Sequence, residues 1–172
     1  FWEYYSVPFR MGFLEGGAKG VMASYNAWNG TPMAVNPILK PIVRDQWGVD
    51  VLSGDGGAIK LLVTSHKRFA TQEQSVVASM KAGINQFLEP VATEVTAAVK
   101  DGSVTEAEID GLLRPKFRVT IRLGLLDPPE MVPYSKVKDS PEPWNTDKDR
   151  SVSLMFVRES GVLLKNAGAI LP

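Results

Sequence analysis

A lone carboxylate, Asp55, sits among glycines in the run Ser53-Gly54-Asp55-Gly56-Gly57, directly after the apolar stretch that ends at Leu52. Glycine lets the backbone approach closely and adopt conformations closed to other residues, which leaves this carboxylate open to a bulky substrate. The same placement also suits an Asx turn in which Asp55 caps a following helix. Glu89, ahead of Pro90, stands in a similar relation to the stretch 84–88, and there too a carboxylate is favoured by the dipole of a helix that follows. Ser24, Tyr25 and Asn26 close the apolar run that starts at Gly20. Two carboxylates at one mouth would suit hydrolysis of a glycosidic bond. One attacks the sugar or activates water and the other protonates the leaving oxygen, with about 5–5.5 Å between them in retaining enzymes. Tyr25 and Trp28 offer rings for stacking on a sugar face or for packing. His66, in LVTSHKRF, reads either as a hydroxyl partner or as a solvated loop histidine.

These residues share a site only if the elements before them are parallel strands, because ligands gather at the carboxyl ends of such strands. The pattern predicts this. Residues 2–16 read as a helix interrupted by Pro8 and stopped at Gly16-Gly17, 20–25 as a buried strand, and 26–36 as a loop. Residues 37–47, with Asn36 as cap and Pro37 at the first position, read as a helix. A strand over 49–53 is followed by a long loop through Gly57 and His66. A helix over 71–83 runs from the cap Thr71 to the stop Gly83, and 84–88 and 91–101 read as a further strand and helix. Strand starts near 20, 49 and 84 give the repeat of about thirty residues that a βα unit needs.

From Thr105 the pattern changes. A Thr105–Glu108 capping box opens a helix that Pro115 should kink or split and Gly124 should close. Residues 127–145 hold five of the twelve prolines and read as an extended linker anchored by Tyr134 and Trp144. A helix near 147–160 and a strand over 161–165 complete the chain. The resulting expectation is an α/β fold: a partial (β/α)8 barrel over 1–126, a Pro-rich linker over 127–146, and the start of a second α/β domain over 147–172. One helix and one strand cannot bury a core of their own.

Composition removes several classes of function. Nineteen basic and nineteen acidic residues give a formal net charge of zero, which supplies no field for a nucleic acid or an anionic membrane. With no cysteine and one histidine, thiolate metal sites, a cysteine nucleophile and a His cluster are excluded. GGAKG (16–20) and GDGG match neither the phosphate-binding loop nor the dinucleotide fingerprint, so no cofactor is expected. No apolar run is long enough to span a bilayer, and FWEYYSVPFR lacks the order of a signal peptide. The expectation is a soluble protein of unassigned compartment, whose aromatic start reads as the interior of something longer.

The run YYSVPFRMGFLEGGAKGVMASYNAWNGTPMAVNPILKPIVRDQWGVDVLSGDGGAI resembles the second half of the catalytic barrel of glycoside hydrolase family 3, which includes β-glucosidases and β-xylosidases. MKAGINQFLE, VTEAEIDGLLRPKFRVTIRLGLLDPPEMVPY and RESGVLLKN extend the resemblance over nearly the whole chain. It implies a retaining, exo-acting β-glucosidase, or alternatively a β-xylosidase, acting on β-linked oligosaccharides or aryl glycosides. Asp55 falls on the family's nucleophile, which forms the covalent glycosyl-enzyme. Tyr25 falls on the tyrosine beside it, and Met22 on a methionine near the same subsite. Trp28 and Glu89 complete the candidate substrate contacts. In the family, further sugar-gripping residues lie before the stretch matched by position 1, and the acid/base glutamate lies beyond position 172. The segment VDVLSGD is one residue shorter than the family pattern and carries Gly54 before the aspartate. A different class remains open at this point: a non-catalytic carbohydrate-binding fragment, or half of an assembly completed by self-association.

Overall fold

A computed structural model describes residues 1–138 and 142–169. Residues 139–141 of the expected linker and 170–172 at the end of the expected second domain lie outside the described residues. The chain divides into two compact units, Phe1–Asp127 and Pro128–Pro172.

The first unit is a helix-rich α/β fold. Helix α1, Val7–Leu14, is shorter than expected, with Pro8 at its amino end, where a missing N–H costs nothing. Strand β1, Gly20–Ala23, pairs in parallel with β4, Val51–Gly54, in the register Gly20 with Val51 through Ala23 with Gly54. No bulge interrupts the shortened strand. Between them, the expected loop holds a small hairpin, β2 (Ala27–Trp28) and β3 (Thr31–Pro32), turned by Asn29 at φ +50° and Gly30 at φ +76°. Asn-Gly is the preferred pair for a turn with two positive φ values, so the signal was in the sequence.

The expected helix over 37–47 starts later and is wound more widely. Leu39–Gln46 is π-helical, with Val43 N–H donating to Ile38 O at 3.2 Å and Trp47 N–H to Ile42 O at 2.9 Å. Pro41 has no N–H to contribute to this segment, and its ring disfavours the regular ladder. The buried residues are Leu39, Val43 and Trp47, which pack with Phe13, Ala23, Val49, Leu52 and Ile84 into one core cluster.

Two expectations around β4 are corrected. The loop after Gly57 contains helix α2, Ala58–Thr64, which starts from Gly57 at φ +82°. Its Ala58, Ile59 and Leu62 are buried, and Ile59 and Leu62 join a second core cluster with Val76, Met80, Ala98 and Val104. The stretch 84–88 is not a full strand: it makes one parallel bridge, Ser53 with Gln86. Backbone bonds join it to β4 through Asn85 N–H and Gln86 N–H to Leu52 O and Gly54 N–H to Gln86 O, and the Asn85 carboxamide adds to them. Its Oδ1 accepts from Leu52 N–H at 2.8 Å, while Nδ2 donates to Asp50 O at 2.8 Å and to Leu112 O at 2.9 Å.

The capped helices form where expected. Helix α3, Gln72–Ala82, has Thr71 Oγ1 accepting from Gln74 N–H and ends at Gly83 with φ +106°. Helix α4 is Ala92–Lys100. Helix α5, Glu106–Arg122, opens with the Thr105–Glu108 capping box and runs through Pro115 as one element. One turn before Pro115, the Leu112 carbonyl takes its bond from Asn85. Arg118 of α5 reaches the buried Asp50 at 2.7 Å, so this helix is fastened to the entry of β4 by an ion pair and a hydrogen bond. At Gly83 a Cβ would stand 2.9 Å from Arg44 Cδ in addition to the left-handed strain. Gly83→Ala is therefore expected to cost about 1–2 kcal/mol, read as a lower urea midpoint at unchanged slope.

In the second unit, Pro129–Met131 and Pro133–Lys136 form short 3-10 turns, and helix α6, Asp147–Ser160, starts with a Thr146–Asp149 capping box. The expected strand over 161–165 does not form: Val162, Leu163 and Leu164 are exposed and have no strand to pair with among the described residues. Tyr134 and Trp144, expected as anchors, are exposed as well. No helix among the described residues is long and apolar enough to cross a membrane.

Candidate active site

The register of the sheet decides where Asp55 stands. Its N–H donates to Ala23 O at 3.1 Å, which carries the β1–β4 pairing one residue past the strand. Its carbonyl then accepts from Ala58 N–H at 2.8 Å, turning the chain into α2. The side chain is half-buried, and Oδ1 accepts from Gly56 N–H at 2.7 Å. The expected Asx cap does not form: Oδ1 takes the amide of the next residue rather than one two positions on, and α2 starts from Gly57 without a side-chain cap. Gly54 is small for a reason of packing, since a Cβ there would sit 3.1 Å from the Ile59 methyl.

Tyr25 comes to the same rim from the end of β1. Its hydroxyl donates to Gly56 O at 2.5 Å, which ties the β1 exit to the glycine beside Asp55. The phenol is pushed above its ordinary value of 10.0, first by partial desolvation, then by the charge of Asp55 and a hydrogen bond with it, and last by the charge of Glu89. A raised phenol binds its proton more tightly when folded, so any stability it confers is present below its unfolded pKa and is lost as pH rises through the folded one. At neutral pH Tyr25 is a donor. In Asp55→Asn the Tyr25 titration is expected to move back toward the ordinary tyrosine value, which alkaline ultraviolet difference absorbance reads; an unmoved titration would break the Tyr25–Asp55 pairing.

His66, just beyond α2, places Nε2 at 2.9 Å from Tyr25 O. Against a carbonyl, that nitrogen is the donor. Sequence spacing gave no sign of this bond across forty-one positions, because nothing in LVTSHKRF names a partner. Glu89 follows the bridge at Gln86 as Asp55 follows β4. Both its carboxylate oxygens are buried, and neither has a hydrogen-bond partner among the described residues. Met22 and Trp28 turn to other surroundings: both line an apolar cavity of about 470 Å³ with Phe9, Phe13, Val21 and Leu52. Trp28 is stacked on Phe1 at 4.3 Å and met edge-on by Trp2, so packing occupies one of its faces. The structure therefore brings Tyr25, Asp55, Glu89 and His66 into one neighbourhood. Among the described residues no group of three or more His, Asp or Glu side chains is placed to hold a metal ion.

Residues 1–118 match the glycosyl hydrolase family 3 N-terminal domain. The chain belongs to glycosyl hydrolase family 3. Among family relatives, the periplasmic β-glucosidase of Salmonella typhimurium is 34% identical over 98% of this chain and 22% of its own length. β-D-xylosidase 1 of Arabidopsis thaliana is 31% identical over 99% of this chain and 22% of its length. The fold is shared with a family 3 exo-β-xylosidase solved with a xylobiose aziridine activity-based probe, at a TM-score of 0.70, 24% identity, 91% coverage of this chain and 20% of that one. It is shared too with a β-glucosidase from Listeria innocua, at a TM-score of 0.69, 24% identity, and coverage of 98% and 23%. This family 3 chain thus spans about a fifth of the length of the relatives it matches.

Proposed function

We propose that this chain supplies the nucleophile of a retaining, exo-acting β-glycosidase site that releases terminal β-linked glucose from oligosaccharides or aryl glycosides. The observation that carries the reading is Asp55, held at the carboxyl end of β4 with Oδ1 on the Gly56 amide and Tyr25 bound to the same glycine, in a chain of family 3. Asp55 attacks the anomeric carbon as the glycosidic oxygen leaves, and water later releases the sugar from the glycosyl-enzyme. Tyr25 positions the nucleophile, with His66 holding the Tyr25 backbone. Glu89 meets the hydroxyl side of the sugar. β1 and β4 belong in this reading to one half of a (β/α)8 barrel over 1–126, with a linker over 127–146 and the beginning of an α/β sandwich domain over 147–172. Relatives named β-xylosidases support β-linked xylose as the second reading of the same site. Nothing in the comparisons favours a non-catalytic or self-completing fragment.

The test is intact mass after incubation with an aryl 2-fluoro-β-glucoside bearing a good leaving group, which accumulates the glycosyl-enzyme of a retaining enzyme. The expected result is one added sugar, mapped by peptide mass to Asp55. A folded protein that gains no adduct while it hydrolyses unsubstituted aryl glucosides would overturn the covalent mechanism. A folded protein that does neither would overturn the enzymatic reading. Running the 2-fluoro-β-xyloside beside it separates glucose from xylose.

A further inference from the structure

Glu89 is costly where it stands. A carboxylate with both oxygens buried needs donors for several lone-pair positions, and an ionised group without them loses its hydration with nothing in return. Among the described residues no donor reaches either oxygen. The neighbouring side chains do not explain it: Asp55 is anchored by Gly56, and Tyr25 gives its proton to Gly56 O. A ligand in this neighbourhood can bring the donors. A metal ion is a poor candidate, because Asp55 and Glu89 offer too few oxygens for a hard cation and no third ligand is placed with them. A sugar ring offers what the group lacks, since two neighbouring hydroxyls can donate side by side to the two oxygens of one carboxylate.

We propose that Glu89 accepts hydrogen bonds from two adjacent hydroxyls of the sugar that Asp55 attacks, and so selects glycones that carry both. This rests on the glycosidase reading above and adds a specificity determinant to it. The placement agrees: Glu89 and Asp55 each follow a segment of the parallel β1–β4 arrangement, and both charges are felt at the Tyr25 hydroxyl that lies beside the nucleophile. A site built to bond a hydroxyl discriminates strongly against an analogue without it, because its buried polar group is then left unpaired.

The experiment compares the protein with Glu89→Gln and Glu89→Ala on p-nitrophenyl β-glucoside and its 2-, 3-, 4- and 6-deoxy analogues, with the thermal midpoint of each variant. The parent protein is expected to reject two deoxy analogues at neighbouring positions by about a hundredfold or more in kcat/KM. In Glu89→Ala that rejection is expected to shrink to a few-fold at those two positions alone. Glu89→Gln, which keeps the shape but replaces one acceptor oxygen by a donor, is expected to lose turnover without lowering the thermal midpoint, whereas a structural role would lower it. Equal losses on every analogue, or no loss at all, would overturn the proposal. So would a defect confined to poor leaving groups and rescued by azide, which would put Glu89 on the leaving oxygen. If the parent protein gains no adduct at Asp55 and hydrolyses nothing, the glycosidase reading falls and this role falls with it. An adduct at Asp55 with unaltered deoxy selectivity removes the Glu89 role alone.

Discussion

Asp55→Asn is expected to lower kcat by roughly four orders of magnitude, the scale seen when a member of a catalytic unit is removed, with the fold left intact. The amide keeps the shape of the side chain and its Oδ1 can still accept from Gly56 N–H, so the turn into α2 survives. What disappears is the electron pair that forms the bond to the anomeric carbon. The variant should neither trap the 2-fluoro sugar nor show a burst of aryl alcohol, and azide, as an external nucleophile, is the agent expected to restore turnover in an Asp55→Ala cavity. Turnover within tenfold of the parent would show that another group makes the glycosyl bond. The thermal midpoint is the internal control, because a large drop there would mean the turn itself had failed.

Asn85→Leu is expected to be the most destabilising single change outside the apolar core, at about 3 kcal/mol. The side chain is buried, and leucine copies its branching without any polar atom. Leu52 N–H loses the Asn85 Oδ1 acceptor, and the Asp50 and Leu112 carbonyls lose a donor. A buried donor left without a partner costs about 1–3 kcal/mol, and a domain holds only about 5–15 kcal/mol in all. Urea unfolding would read the loss as a lower midpoint, and the Leu52 amide should exchange with solvent much faster. An unchanged midpoint would mean that water or a shifted backbone replaces the carboxamide. The effect on catalysis should follow stability, since β4 delivers Asp55 only while its open edge is held.

The parts of this fold that the sequence made legible are those with local chemistry. Thr71 and the Thr105–Glu108 box each mark a helix start by a hydrogen bond reaching three residues, and α3 and α5 start where those bonds form. The spacing of apolar runs likewise indicated which polar residues follow the strands, and the structure brings Tyr25 and Asp55 to one glycine. What the sequence hid depends on partners far along the chain. Residues 84–88 are apolar enough to read as a strand, but their pairing with β4 is confined to Asn85 and Gln86, and the Asn85 carboxamide bonds across thirty-three positions to Leu52. Helix α2 was masked by Gly56-Gly57, which read as loop, because the burial of Ile59 and Leu62 against Val76 is a tertiary fact. The run 161–165 shows the opposite failure: the apolar Val162, Leu163 and Leu164 favour a strand only where another strand is present to receive them. His66 carried no local mark of its bond to Tyr25, and the missing partners of Glu89 can be seen only in three dimensions.

The wide winding of Leu39–Gln46 acts as a rotary offset. An α-helix turns its side chains by about 100° per residue, and a helix with longer hydrogen-bonded loops turns them by less. Over eight residues the difference accumulates until Trp47 faces another side of the axis from the one α-winding would give it. Only with the offset does the Trp47 ring lie flat along Phe13, at 6.0 Å and 23°, and close the core beneath β1 and β4. Removing a single residue from this segment would reset the phase rather than merely shorten the helix, turning an indole into solvent and opening the floor on which the sheet rests.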